Sequence, residues 1–178
     1  MTHDHHMGVE DANPGTPPDD QMSGGMTHGR PYRMFWLNMI PGLIVMYLVM
    51  FSMIDGLVDF KNNLNMFYMA VTMWAPMGIL MLLTMPGMFP NKKLNLGLCA
   101  LFAVLTLGSF LATRAQTAID DRQFVASMIP HHSGAILMCR EADLDDPELQ
   151  SLCQAIITAQ RQEIAQMNRI GDRLAEAG

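Results

Sequence analysis

Apolar positions along the chain fall into three long uncharged blocks followed by two amphipathic stretches. Phe35–Ile54, Met66–Met85 and Leu94–Thr113 each run for 20 residues without a formal charge. That is the length an α-helix needs to cross about 30 Å of hydrocarbon. The pattern predicts three transmembrane helices, with Pro41 and Pro76 bending the first two. Beyond them the polarity alternates with helical period. Asp120 is a candidate N-cap with Gln123 as capping-box partner for a helix over 120–142. Asp146 and Pro147 mark the start of a second helix over 147–174. On this second helix Leu149, Cys153, Ile157, Gln160, Ile164 and Met167 form one stripe expected to be buried. The fold class is therefore all-α: three membrane helices and an antiparallel helical hairpin.

Residues 1–33 carry no hydrophobic periodicity and are expected to be a disordered tail, 34–114 a membrane anchor, and 115–178 a hairpin domain. His3, His5, His6, Met7, Met22, Met26 and His28 in the tail are potential metal donors, but nothing there fixes their geometry, and a solvated tail is the preferred reading. Folding the hairpin about residue 146 pairs positions whose numbers sum to about 292. That register sets Cys139 opposite Cys153, His132 opposite Gln160, and Met128 near Ile164 and Met167.

Composition changes the picture in three ways. The net charge is −6. It comes from the two ends, since residues 1–29 hold five acids and no Lys or Arg, and residues 114–178 hold ten acids against six Arg. This argues against a nucleic-acid partner. No basic n-region leads into the first apolar block, which is then a signal anchor. Arg30, Arg33, Lys92 and Lys93 gather on one side, against Lys61, Arg114 and Arg122 on the other. The bias puts the N-terminus in the cytoplasm and the hairpin outside, the periplasm in a bacterium. Tyr32, Phe35, Trp36, Phe67 and Tyr68 are placed as an aromatic belt.

The candidate chemistry is that of a soft metal. On a helix turning about 100° per residue, Met128, His131, His132, Ala135, Met138 and Cys139 share a face roughly 120° wide. Thioether and imidazole suit Cu(I) better than Mg, Ca or Mn. His131 and His132 diverge by about 100°, so one serves as ligand and the other as support unless Pro130 distorts the helix. Cys139 and Cys153 are, in order of preference, two small buried residues, a disulfide clipping the hairpin, or extra Cu(I) ligands. Met66, Met69, Met73, Met77, Met81, Met85 and Met88 line one side of the second span. Lipid contact or helix packing is the preferred reading, and a thioether ladder for Cu(I) is the alternative. No ExxH pair, Ser-His-Asp set or phosphate-binding glycine loop is present, so no enzyme and no organic cofactor is expected.

The residues Asp121-x-x-Phe124-x-x-x-Met128-x-x-His131-His132-x-x-Ala135-x-x-Met138, then Pro147-Glu148-Leu149, then Gln160-x-x-Glu163-Ile164-x-x-Met167, resemble the ferritin-like family called domain of unknown function 305. The segment Asn91-Lys-Lys-Leu-Asn-Leu before the third span is similar to the membrane-anchored branch of that family. The resemblance implies a hairpin completing a four-helix, ferritin-like bundle by dimerisation, with copper bound in the periplasm by some members. Carried over by position, the metal ligands are Met128, His131, His132, Met138 and Met167, with Asp121, Gln160 and Glu163 in supporting roles. Cys139 and Cys153 stand where the family commonly has alanine. The expected function is a Cu(I)-binding protein of the bacterial inner membrane, active in copper buffering, transfer or tolerance. Its partners would be the lipid bilayer, a second copy of itself, and a protein that donates or accepts copper. The alternative is a metal-free membrane assembly module, and a transporter subunit is a weaker third reading.

Overall fold

The structure is a computed structural model and describes residues 30–176. The histidines and methionines of the N-terminal tail lie outside the described residues. Five α-helices and one short 3-10 turn make up the ordered elements: α1 (Arg30–Val49), the turn Leu57–Asp59, α2 (Leu64–Thr84), α3 (Lys92–Ala115), α4 (Asp121–Glu141) and α5 (Pro147–Glu176). The protein is all-α among the described residues. Helices α1, α2 and α3 are each long and apolar enough to cross a membrane. Leu37, Ile44, Leu80, Leu83, Leu96, Val104 and Leu107 on their outer surfaces are exposed, as lipid-facing positions must be.

The first helix departs from the hydropathy pattern. It begins at Arg30 and ends at Val49, so the apolar residues 50–54 leave the helix. Tertiary contacts account for this. Phe51 is buried and stacks on Phe60 at a centroid distance of 4.2 Å, folding the segment back under the hairpin. Pro41, Pro76 and Pro130 all lie inside continuous helices.

Phe35, expected at an interface, is instead one of the most buried side chains, at 1% exposure. It sits in an aromatic cluster with Phe89 and Phe102, each at 5.8 Å, while Trp74 meets Phe102 edge-on at 5.4 Å. The indole Nε1 of Trp74 donates to the Met39 carbonyl at 2.7 Å. A buried N–H in an apolar bundle needs such an acceptor. Polar groups within the spans are satisfied locally. Asn38 donates to Met34 O, Thr106 to Phe102 O and Thr72 to Tyr68 O, and Thr72 also meets Ser109 across the α2–α3 contact at 2.8 Å.

α3 ends on Gln116 in the left-handed conformation, and Ala118 shares that conformation. These two residues turn the chain into α4. Asp120 caps α4 by accepting from Gln123 N at 2.7 Å. The Gln123 side chain does not close the expected capping box. Its Oε1 accepts instead from Leu64 N at 2.9 Å, satisfying a donor at the start of α2 that has no intrahelical partner. Asp146 caps α5 through both Glu148 N and Leu149 N at 2.9 Å.

Candidate metal-binding hairpin and its membrane-side clamp

Helix α4 carries the candidate ligands, and three faces divide it. Val125, Ile129 and Ile136 pack with Ile164, Ile157, Met167 and Ile170 of α5. A second face meets the loop between α1 and α2. There Ser133, fully buried, accepts from Asp55 N at 2.7 Å and donates to Asp59 Oδ2 at 2.6 Å. Gly134 permits the close approach, because a Cβ at that position would lie 3.2 Å from the Met53 carbonyl oxygen. Asn63 Nδ2 donates to Ala126 O at 3.3 Å, Asn65 Nδ2 to Ser127 Oγ at 3.3 Å, and Arg140 forms an ion pair with Asp55. The guanidinium pKa of Arg140 is raised by its hydrogen bond to Glu141, with Asp55 adding to the effect. By contrast, α5 packs on α4 and on no other helix among the described residues.

The third face of α4 is open. Phe124 and Met138 are 52% and 56% exposed. His131 is exposed and Met128 and Ala135 are half-buried along the same stripe. The adjoining edge of α5 adds Leu149 at 48% and Leu152 at 53% exposure, with Ile156 half-buried. Leu149, expected to be buried, is thus open in a single chain. The Met/His stripe therefore borders the α4–α5 seam without being enclosed by it.

The hairpin register agrees with the hinge prediction at the tip and shifts below it. Cys139 and Cys153 are joined in a disulfide with Cα atoms 5.2 Å apart. This overturns the preferred reading of two small buried residues, since both are half-buried and bonded, and takes both sulfurs out of the extra-ligand reading. Further down, His132 meets Glu163 rather than Gln160, with Nδ1 2.9 Å from Oε2. Packed helices interlock by ridges three or four residues apart, so partners change by about a turn along the seam. Met167 packs with Val125 and Ile129 of α4 and lines a small pocket beside them. His132 is mostly buried, and its Nδ1 touches the Glu163 carboxylate without an aligned hydrogen bond to it or to any other group among the described residues. His131 and His132 hold their rings 6.2 Å apart at 61°. Asp121 lies exposed on the first turn of α4, and Gln160 is half-buried on α5. Among the described residues no three His, Cys, Asp or Glu side chains gather at a common point.

The methionines on and just after α2 are mostly outward, although Met66 and Met81 are half-buried and Met81 packs on the core. Met69, Met73, Met77, Met85 and Met88 are exposed. Met77 and Met81 line an apolar groove of about 600 Å³ with Met39, Met46 and Trp74 between α1 and α2.

Residues 110–171 match the family model described as domain of unknown function (DUF305). An uncharacterized protein of Acanthamoeba polyphaga mimivirus is 31% identical over 142 residues, covering 78% of this chain and 91% of the viral protein. The chain belongs to the DUF305 family. The DUF305 match takes in the end of α3, all of α4 and most of α5, so it contains every candidate ligand. A similarity over 142 residues is too long for the hairpin alone and extends into the apolar helices. No solved structure gives a significant match.

The residues of the membrane-side clamp, Asp55, Asp59, Ser133 and Arg140, had no motif to reveal them. The one signal was a pair of acids in a short loop between two apolar spans. Ser133→Ala is expected to leave a half-buried carboxylate oxygen and a half-buried amide without their partner, at a cost of about 1 kcal/mol. Hydrogen exchange across residues 51–60 checks this: faster exchange is expected, and unchanged protection would show that the clamp does not hold the loop.

Proposed function

We propose that this DUF305 protein binds Cu(I) through its hairpin and buffers or hands over the metal at a membrane surface. The observation that carries the reading is the His132–Glu163 pair beneath an open Met/His stripe. A carboxylate beside Nδ1 favours the tautomer with its proton there and leaves the Nε2 lone pair for a metal. Met128, His131, Met138 and Met167 supply the neighbouring soft donors. One chain presents this stripe half-exposed. Two hairpins docked face to face would bury Phe124, Met138, Leu149 and Leu152 and form a four-helix, ferritin-like bundle with the donors inside. A monomer by light scattering in mild detergent would count against that assembly.

The hairpin is proposed to lie on the non-cytoplasmic side, the periplasm if the host is a bacterium. The disulfide supports this, since such bonds persist in oxidising compartments. A copper donor or acceptor protein is the expected partner, and neither a catalytic role nor an organic cofactor is part of the reading.

The test is anaerobic Cu(I) titration of the full chain in detergent against a competing chelator. The full chain is required because α4 rests on the loop between α1 and α2. Stoichiometric binding is expected, lost in Met128→Leu/His131→Ala/His132→Ala and weakened about 10–100-fold in Glu163→Gln. A folded chain that fails to compete for Cu(I) would sink the copper reading and leave the metal-free assembly module.

A further inference from the structure

Where the hairpin meets the anchor loop, a pocket of about 150 Å³ opens between α4, α5 and the residues just before α2. Its floor is apolar, from Val125 and Ile129, and its rim carries Lys61, Arg122, Asn168 and Asp172. Neither the Lys61 nor the Arg122 side chain has a hydrogen-bond or ion-pair partner among the described residues. Two cations converging on one pocket without an internal partner leave an anion as the natural occupant. With Asp172 the rim carries a net charge of about +1, which balances the single negative charge of a phosphodiester.

The position of the pocket says where that anion comes from. Lys61 stands three residues before Leu64, the first residue of the apolar helix α2, and Arg122 lies on the first turn of α4. Asn63 ties these two regions together. Its side chain accepts from Met66 N at 2.9 Å and donates to the carbonyls of Lys61 and Ala126. The cations are therefore held at the level where the spanning helices enter the bilayer, which is the level of lipid headgroups. Arg114, in the last turn of α3, lies near the same level outside the pocket.

We propose that this pocket is a phospholipid site in which Lys61 and Arg122 grip the headgroup phosphodiester. The inference does not need copper, although Met167 of the proposed copper site also lines the pocket, and it rests on α1, α2 and α3 crossing the membrane. A lipid held here bridges the loop, α4 and α5 and steadies the hairpin against the bilayer.

Native mass spectrometry of the full chain in uncharged detergent tests it, with phosphatidylglycerol, a diacylglycerol of the same tails, and inorganic phosphate as probes. One phosphatidylglycerol per chain is expected to be retained, the diacylglycerol is not, and millimolar inorganic phosphate does not displace the lipid. Lys61→Gln/Arg122→Gln is expected to weaken retention about tenfold or more, while Arg114→Gln leaves it unchanged. Circular dichroism and the intact disulfide report folding. If the double variant loses helix, Arg122→Gln alone, at an exposed side chain, reads the same loss at smaller size. Undiminished retention in a folded pocket variant or an equal loss in Arg114→Gln overturns the site. Displacement by inorganic phosphate assigns the pocket to free oxyanions and overturns the lipid.

Discussion

Gly78→Ala is expected to destabilise the membrane anchor by about 1–3 kcal/mol, the range for overfilling a packed core. A Cβ at position 78 would lie 2.8 Å from Phe102 Cε2 and 3.0 Å from Met39 Cε. The Phe102 ring has no room to retreat. It is fully buried between Phe35, Trp36 and Trp74. In a bilayer no hydrophobic force drives helices together, so close packing at small residues carries much of their association. The two tryptophans of the chain both pack on Phe102, so their fluorescence during unfolding in SDS mixed micelles reports on this core. Gly78→Ala should unfold at a lower SDS fraction, and Phe102→Leu in the same chain should recover part of the loss. Identical unfolding curves for Gly78→Ala and the parent would remove the close approach as a source of stability.

Cys139→Ser/Cys153→Ser is expected to lower hairpin stability by about 3 kcal/mol, the chain-entropy figure for a closed loop of about 15 residues. The bridge spans a sequence separation of 14. The tip has little else to hold it: Leu149 and Leu152 are exposed and the connection at 142–146 is mostly exposed too. The effect should be confined to α4 and α5, because α5 touches no anchor helix. Thermal melting followed by circular dichroism, with and without reductant, checks both points. A reductant-insensitive transition at the parent temperature would mean that packing of Ile129, Ile136 and Ile164 suffices alone.

The three long apolar helices were legible because a charge-free run of that length has few other foldings, and the hairpin because Asp146 and Pro147 mark the hinge unambiguously. The facing of Cys139 and Cys153 followed from that hinge, since two residues close to a turn have little freedom to miss each other. Legibility fell with distance from it. His132 pairs with Glu163 instead of Gln160 because interlocking ridges, rather than arithmetic from the turn, select partners along a seam. Residues 50–54 were read as membrane because hydropathy counts polarity and is blind to Phe51 stacking on Phe60. The clamp of Ser133 with Asp55 and Asp59 joins residues more than 70 positions apart, and no local pattern encodes such a pairing. Of the residues grouped on one face of α4, His132 and Cys139 turn to α5, and the openness of the rest depends on where α5 and the anchor loop lie, which periodicity does not contain.

The covalent bond across the hinge also limits how two copies can associate. Short-hinged hairpins are prone to trade arms, one chain's second helix docking on its neighbour's first. With Cys139 bonded to Cys153, α5 cannot leave its own α4 while the bond lasts. Oxidised chains can therefore meet only as closed hairpins, and reversible association replaces entanglement. Reduction before assembly would open the exchanged route.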